Sequence, residues 1–157
     1  MDSLALLLAL AALATTSSTS GLLFGYACSV MIALDRQEPA TAIRVMRTIN
    51  VVIVNPVFLA AFLGALPATL MAAGAAHLAG SDAAAGWFLA AFLVYGAGTF
   101  GITVAFNLPL NDALARAGDA PADVWKRYAP AWNRWNVLRT AAGILSVILC
   151  GLGLSAR

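Results

Sequence analysis

Four long apolar stretches constrain the fold of this chain more than any other feature of its sequence. They cover residues 4–34, 49–76, 84–106 and 137–155. A helix needs about 20 mostly apolar residues to cross the hydrocarbon core of a bilayer, and each stretch is close to or above that length. No Asp, Glu or Lys lies inside them. The sequence therefore predicts an all-α protein, an integral membrane four-helix bundle in which residues 1–157 form a single transmembrane domain.

The composition agrees with a membrane protein and argues against a soluble one. Only 10% of the residues are charged and 62% are hydrophobic, whereas roughly a quarter of a typical soluble domain is charged. The first stretch has no basic segment before it and is too long for a signal peptide, so we expect it to stay as a helix. A net charge of +2, without a basic soluble surface, predicts no nucleic-acid partner.

The basic residues indicate the orientation of the chain. Eight of the nine lie in or beside the first and third loops, at Arg36, Arg44, Arg47, Arg116, Lys126, Arg127, Arg134 and Arg139. Loops rich in Lys and Arg stay in the cytoplasm. We therefore expect a multi-pass protein of the plasma membrane, with loops 1–2 and 3–4 in the cytoplasm and both termini outside.

The third loop, about 107–136, has a helical pattern of its own. Pro121 suits the first position of a helix. Aromatic residues then recur at spacings of three and four, at Trp125, Tyr128, Trp132 and Trp135. Such a belt is typical of the membrane interface, and Pro130 is expected to limit the continuity of the helix. The sequence thus predicts a short interfacial helix between helices 3 and 4.

Three groups of polar residues lie at the ends of the second, third and fourth stretches that face these two loops. The groups are Arg47, Asn50 and Asn55; Thr103, Asn107 and Asn111; and Trp132, Asn136 and Arg139. The second and fourth stretches enter the membrane on the side where the third leaves it, so the groups should meet at one depth. Amides and guanidinium groups there are costly unless they pair or line a wet cavity. We favour a pocket, and a hydrogen-bond network without a ligand stays the alternative.

The chemistry available to such a pocket is narrow. Arg47 and Arg139, with Asn111, are the candidate catalytic residues, because they can stabilise an oxyanion. The candidate substrate-binding residues are Asn50, Asn55, Thr103, Asn107, Trp132 and Asn136. No carboxylate or His cluster has metal-ligand spacing, and His77, the single histidine, belongs to the second loop. We therefore expect no metal ligands and no cofactor.

These motifs resemble the anthrone oxygenase-like family of small four-helix membrane proteins. The resemblance spans nearly the whole chain. Its carriers are Phe24-Gly25 to Leu34, Met46-Arg47-Thr-Ile-Asn50 with Asn55-Pro56-Val-Phe58, Asn107-Leu-Pro-Leu-Asn111-Asp112-Ala-Leu114, and Trp125 onward through Trp132-Asn133-Arg134-Trp135-Asn136-Val-Leu-Arg139. Ile32 stands where the family's pattern has Pro, which is a small departure.

The resemblance implies an enzyme that oxidises an activated carbon of a polycyclic aromatic with O₂, as in the conversion of anthrone to anthraquinone. Its partners would be a hydrophobic small-molecule substrate, O₂, the lipid bilayer and, as an open alternative, a second copy in a homo-oligomer. Two other functions stay open. One is a non-catalytic lipid- or quinone-binding membrane protein, and the other is a structural subunit of a membrane complex.

Overall fold

The described part of the chain folds into five helices. The computed structural model describes residues 3–118 and 121–156, and neither range contains a strand. In chain order the helices are α1 (Ser3–Asp35), α2 (Pro39–Val52), α3 (Pro56–Leu78), α4 (Asp82–Arg116) and α5 (Pro121–Ser155). Of these, α1, α3, α4 and α5 are long and apolar enough to cross a membrane. The predicted all-α class with four membrane helices is therefore confirmed, and the chain is a multi-pass membrane protein.

Small residues fill the interior of the bundle, and large apolar residues face outward. Helix α1 packs against α3 and α5, and α4 packs against the same two helices. Alanine is the commonest buried apolar residue on these helices, whereas Leu7 and Val57 are 64% and 83% exposed. In a bilayer, small residues let backbones approach closely while large ones face lipid. At Gly143 a Cβ atom would lie 2.5 Å from the Oγ of Ser20, so glycine is needed for this contact between α5 and α1.

The second apolar stretch is two helices rather than one. Residues 53–55 separate α2 from α3, so the expected continuous helix over 49–76 is wrong. A residue before proline is disfavoured in the helical region, and Asn55 has an extended backbone, with φ −124° and ψ 160°. Its Oδ1 accepts hydrogen bonds from the backbone N–H groups of Val57 and Phe58 at 3.1 and 3.0 Å. Asn55 is thus the N-cap of α3.

The aromatic segment before the last membrane span belongs to α5. The expected interruption at Pro130 is wrong, because α5 is continuous from end to end. Proline removes a hydrogen bond to the carbonyl of Lys126. Both residues are exposed, so that carbonyl can be solvated from outside the bundle. The short segment Leu108–Arg116, which precedes α5 in the chain, is the last part of α4.

The two ends of the bundle differ in polarity. Ser81, in the turn between α3 and α4, donates a hydrogen bond from Oγ to the carbonyl of Ala156 at 3.0 Å, so this turn lies beside the end of α5. The opposite end, here called the polar end, holds α2, the last segment of α4 and the start of α5. There Arg47 donates from Nε and Nη2 to the carbonyls of Leu114 and Ala117 at 3.0 and 2.6 Å. Arg47 therefore caps the C-terminus of α4 and fastens α2 to it.

The N-cap at Asn55 gives a prediction about stability. We expect Asn55→Ala to lower the free energy of unfolding by about 1 kcal/mol, because two backbone N–H groups of α3 lose their acceptor. Thermal unfolding of the detergent-solubilised protein measures the change. Asn55→Ser keeps a side-chain oxygen at the cap and should retain most of the stability. Equal losses in the two variants would contradict the capping role.

Candidate functional site

A cavity of about 300 Å³ lies inside the polar half of the bundle. All five helices contribute to its wall, together with Ile53 and Val54 from the connection between α2 and α3. The volume is at the lower end of the range of roughly 300–1,000 Å³ found for small-molecule pockets. Most of the lining is apolar, and the polar side chains among it come from α2, α4 and α5. This combination is typical of a site for an apolar ligand with a polar edge.

Aromatic side chains form much of the apolar wall. Phe58 and Phe62 of α3 are stacked, with ring centroids 5.3 Å apart, and Phe100 of α4 lies 5.7 Å from Phe62. Tyr26 of α1 and Trp132 of α5 make a second pair, with centroids 5.7 Å apart. Planar rings with these separations favour contact with other planar rings. The wall therefore suits a flat aromatic molecule.

Local widening of two helices brings several of the lining residues to the cavity. Tyr26–Val30 of α1 and Tyr95–Gly101 and Thr103–Asn107 of α4 are π-helical. Such insertions in an α-helix are rare and are found frequently at functional sites. Here they include five residues of the cavity lining, namely Tyr26, Phe100, Thr103, Val104 and Asn107.

Arg139 is the central polar residue of the cavity. Its side chain is only 7% exposed. Nε and Nη2 donate hydrogen bonds to the Oδ1 of Asn136 at 3.1 and 3.0 Å, and Nη1 donates to the Oγ1 of Thr103 at 3.0 Å. The guanidinium carbon also lies 5.2 Å from the ring centroid of Trp132, within the range of a cation–π interaction. These contacts hold the guanidinium between α4 and α5.

The charge of Arg139 has no anionic partner in the described structure. In residues 3–118 and 121–156 the single contact between a basic and an acidic side chain is that of His77 with Asp82, near the opposite end of the bundle. A guanidinium has five N–H donors, so the three hydrogen bonds leave one hydrogen on each Nη. A buried charge without a counterion is costly. An anionic oxygen of a ligand at this end of the cavity would be strongly stabilised.

Asn136 and Thr103 are themselves fixed by further hydrogen bonds. The Nδ2 of Asn136 donates to the carbonyl of Leu23 in α1 at 3.1 Å, and Thr103 donates to the carbonyl of Thr99 at 2.7 Å. Thr99 in turn donates to the carbonyl of Arg139 at 3.0 Å. The position of the guanidinium thus depends on α1, α4 and α5 together.

Asn111 is oriented by two aromatic residues of α5. Its Oδ1 accepts hydrogen bonds from the hydroxyl of Tyr128 at 3.0 Å and from the indole N–H of Trp132 at 2.9 Å. Because an indole N–H can only donate, the oxygen of the amide must face it. The Nδ2 of Asn111 therefore faces away and donates to no described residue. Asn50 of α2 lies beside the same Tyr128 hydroxyl.

Asn107 provides an acceptor in the wall of the cavity. Its Nδ2 donates to the carbonyl of Trp132 at 3.2 Å, which fixes the orientation of the amide. The Oδ1 is buried and has no hydrogen-bond partner in the described structure. An unsatisfied buried acceptor costs about 1–3 kcal/mol, and a donor on a ligand would relieve that cost.

The structure brings six of the nine predicted site residues to the cavity: Asn50, Thr103, Asn107, Asn111, Trp132 and Arg139. The other three lie outside its lining. Arg47 is engaged by the carbonyls at the end of α4, and Asn55 by the N-terminus of α3. Asn136 is behind Arg139 and contacts the cavity through it.

Among the residues that the structure describes, no carboxylate or imidazole lines the cavity. Asp112, the acidic residue adjacent to Asn111 in the sequence, is exposed on α4. Within the two described ranges, no three His, Cys, Asp or Glu side chains come together as a metal site would require.

Sequence reasoning missed Tyr26 and Tyr128. Tyr26 lies near the end of the first apolar stretch, where an aromatic residue is usually a membrane-interface anchor. Tyr128 belongs to the predicted aromatic belt for the same reason. The available signal was the spacing of Tyr128 and Trp132, which puts both on the helical face that also carries Asn136 and Arg139.

The hydrogen bonds of Arg139 predict unequal effects at two nearby asparagines. Asn136→Ala removes the oxygen that accepts two guanidinium N–H groups, so we expect the free energy of unfolding to fall by about 3 kcal/mol. Asn133 is the matched control, since its Oδ1 is buried without a partner. Asn133→Ala removes an unsatisfied acceptor and should not lower the free energy of unfolding. Thermal unfolding of both variants in detergent measures the difference, and a smaller loss at Asn136 than at Asn133 would refute the prediction.

Comparison with known proteins identifies the family. No curated protein and no solved structure matches the chain. The family model described as "Anthrone oxygenase" matches residues 53–149, which are more than half of the chain and include α3, α4 and most of α5. The match contains Arg139 and the cavity residues of α4 and ends before the last turns of α5. The chain therefore belongs to the anthrone oxygenase family.

Proposed function

We propose that this protein is a membrane-embedded oxygenase that oxidises an activated carbon of a hydrophobic polyaromatic molecule with O₂. The observation that carries the proposal is the buried guanidinium of Arg139 at the polar end of an aromatic-walled cavity. It has uncommitted N–H groups and no counterion among residues 3–118 and 121–156. Membership of the anthrone oxygenase family supports the same reaction class. An anthrone, a tricyclic ketone with one activated methylene, fits both the apolar wall and the cationic end.

The first step is loss of a proton from the activated methylene. In an anthrone this carbon lies between two aromatic rings and opposite the carbonyl, so its deprotonation gives an enolate with negative charge on the carbonyl oxygen. The two free N–H groups of Arg139 stabilise that oxygen, and the Nδ2 of Asn111 is the second donor available in the lining. The proton passes to water at the mouth of the cavity.

The second step is the reaction with O₂. The electron-rich carbon reduces O₂ and forms a carbon–oxygen bond, and one proton converts the product to a hydroperoxide. Loss of the second hydrogen of this carbon as a proton, with cleavage of the O–O bond, makes the new carbonyl and releases water. Anthrone and O₂ thus give anthraquinone and H₂O. An enolate of this kind reduces O₂ directly, so we propose that no cofactor takes part.

The remaining polar residues of the site act on position rather than on the reacting atoms. Thr103 and Asn136 hold Arg139, and Tyr128 and Trp132 hold Asn111. Asn107 offers its unpartnered Oδ1 to a donor on the substrate. In this account Arg47 and Asn55 contribute by placing α2, and with it Asn50, at the polar end of the cavity.

We also propose that the polar end faces the cytoplasm in the plasma membrane. The loops and helices of that end carry eight of the nine basic residues, and an excess of Lys and Arg marks cytoplasmic segments. The substrate would then enter from the bilayer or its cytoplasmic interface, and both termini would be outside.

Arg139→Lys tests the catalytic role. Lysine keeps the positive charge but lacks the planar group that binds Asn136, Thr103 and an oxyanion together. We expect O₂ uptake with anthrone to fall by roughly 10²–10³-fold, as when an oxyanion donor is removed elsewhere. An oxygen electrode measures the rate of O₂ uptake by the purified protein in detergent. Quenching of tryptophan fluorescence measures the binding of anthraquinone separately.

Arg134→Lys is the matched control. Arg134 is exposed on the same helix and lies 5.6 Å from the ring of Trp135, outside the cavity lining. O₂ uptake by the Arg134→Lys variant should stay within about twofold of that of the parent protein. Similar losses in both variants would contradict the role of Arg139. Anthraquinone binding without any O₂ uptake by the parent protein would instead identify a quinone-binding protein.

The orientation is tested by cysteine labelling in intact cells. In a background in which the exposed Cys28 is replaced by Ser, a membrane-impermeant thiol reagent should label Ser81→Cys from outside and leave Gly118→Cys unlabelled. Permeabilised cells provide the control, since both cysteines should then react. The opposite labelling pattern would reverse the proposed orientation.

A further inference from the structure

The proposed reaction moves protons, and few groups in the cavity can carry them. Of the described side chains that line it, only Tyr26 and Arg139 are titratable. Arginine stays protonated in proteins and donates hydrogen bonds without releasing a proton. A tyrosine hydroxyl, in contrast, can give up its proton and take it back. Tyr26 is therefore the side chain of the lining best suited to proton transfer.

Tyr26 and Arg139 are neighbours on the same indole ring. The ring of Tyr26 lies 5.7 Å from that of Trp132, with an angle of 49° between the planes. The guanidinium carbon of Arg139 lies 5.2 Å from the centroid of Trp132. The aromatic group that would contact the substrate and the cation that would bind its oxygen thus pack against the same indole.

The hydroxyl of Tyr26 is uncommitted, unlike those of two other tyrosines in the bundle. Tyr95 donates to the carbonyl of Phe62 at 2.9 Å, and Tyr128 donates to the Oδ1 of Asn111 at 3.0 Å. The Tyr26 hydroxyl donates to no described residue. Its side chain is half-buried at the cavity wall. A hydroxyl in this condition can bond to a bound ligand without breaking an existing hydrogen bond.

We propose that Tyr26 is the catalytic acid and base of the oxidation, an inference that rests on the function proposed above. After O₂ has added to the substrate carbon, the hydroxyl of Tyr26 donates its proton to the terminal oxygen of the peroxide anion, which becomes a hydroperoxide. The resulting phenolate then removes the remaining hydrogen of that carbon as a proton. The electron pair of the C–H bond forms the new carbonyl, and the O–O bond breaks.

Atoms and charges balance over this sequence. The departing hydroxide takes up the proton that the methylene released in the first step and leaves as water, and Tyr26 ends as the neutral phenol. The substrate carbon loses four electrons, and both oxygen atoms gain two each. The positive charge of Arg139, on the same indole, stabilises the transient phenolate. Tyr26 thereby supplies the proton-transfer group that the lining otherwise lacks.

The test is Tyr26→Phe, which keeps the ring on Trp132 and removes only the hydroxyl. We expect anthraquinone to bind within about twofold of the parent protein, whereas formation of anthraquinone from anthrone slows by roughly 10²–10⁴-fold, the usual effect of losing an acid–base group. Rapid quenching and mass spectrometry should show an accumulated adduct with the mass of anthrone plus one O₂. The yield of quinone per O₂ consumed should fall.

Tyr95→Phe is the matched control, because it also removes a tyrosine hydroxyl from the bundle but lies outside the cavity lining. Its quinone yield per O₂ should equal that of the parent protein. Normal turnover and a normal yield of quinone per O₂ in Tyr26→Phe would overturn the role of Tyr26 but leave the proposed function unaffected. Loss of anthraquinone binding in Tyr26→Phe would overturn it as well, since the hydroxyl would then serve binding. If the parent protein consumes no O₂ with anthrone, the proposed function fails and the role of Tyr26 fails with it.

Discussion

The burial of Arg139 is the interaction on which the polar half of the structure depends. A bilayer cannot solvate a guanidinium, so its N–H groups must find acceptors within the bundle. Asn136 and Thr103 supply them, and each is tied by a further hydrogen bond, to α1 through Leu23 and to α4 through Thr99. The charge thus connects three of the four membrane helices at one depth.

The break between α2 and α3 decides which part of the second stretch reaches the cavity. Had residues 49–76 formed one helix, Asn50 would have continued along the axis of α3. Because Asn55 and Pro56 begin a new helix, α2 ends at Val52, and Asn50, Ile53 and Val54 line the cavity. Arg47 fixes α2 in that position by donating to the last carbonyls of α4. Arg47, a candidate catalytic residue in the sequence, thus connects α2 to the end of α4. Asn50 of the same helix lines the cavity.

The sequence predicted the membrane helices well because hydrophobicity is summed over about 20 residues and tolerates local errors. The sequence also predicted Thr103, Asn107 and Asn111 as one group of polar residues, and all three line the cavity. The sequence could not predict which hydrogen-bond partner each of these side chains has. The Asn55-Pro56 signal for a helix start was present but was outweighed by the apolar residues around it. The continuity through Pro130 depends on tertiary packing, since Tyr128 and Trp132 are buried on either side of it.

The feature that costs this fold stability is also the one that the proposed chemistry requires. A guanidinium with a carboxylate partner would be more easily buried, but its field would already be neutralised when an enolate formed. Without a counterion in the described part of the chain, and with its N–H groups only partly used, Arg139 attracts negative charge most strongly at the moment that such charge develops. The low dielectric constant of the apolar wall increases that attraction. Exceptions to the rule that buried charges are paired are expected where function requires them, and this cavity contains one.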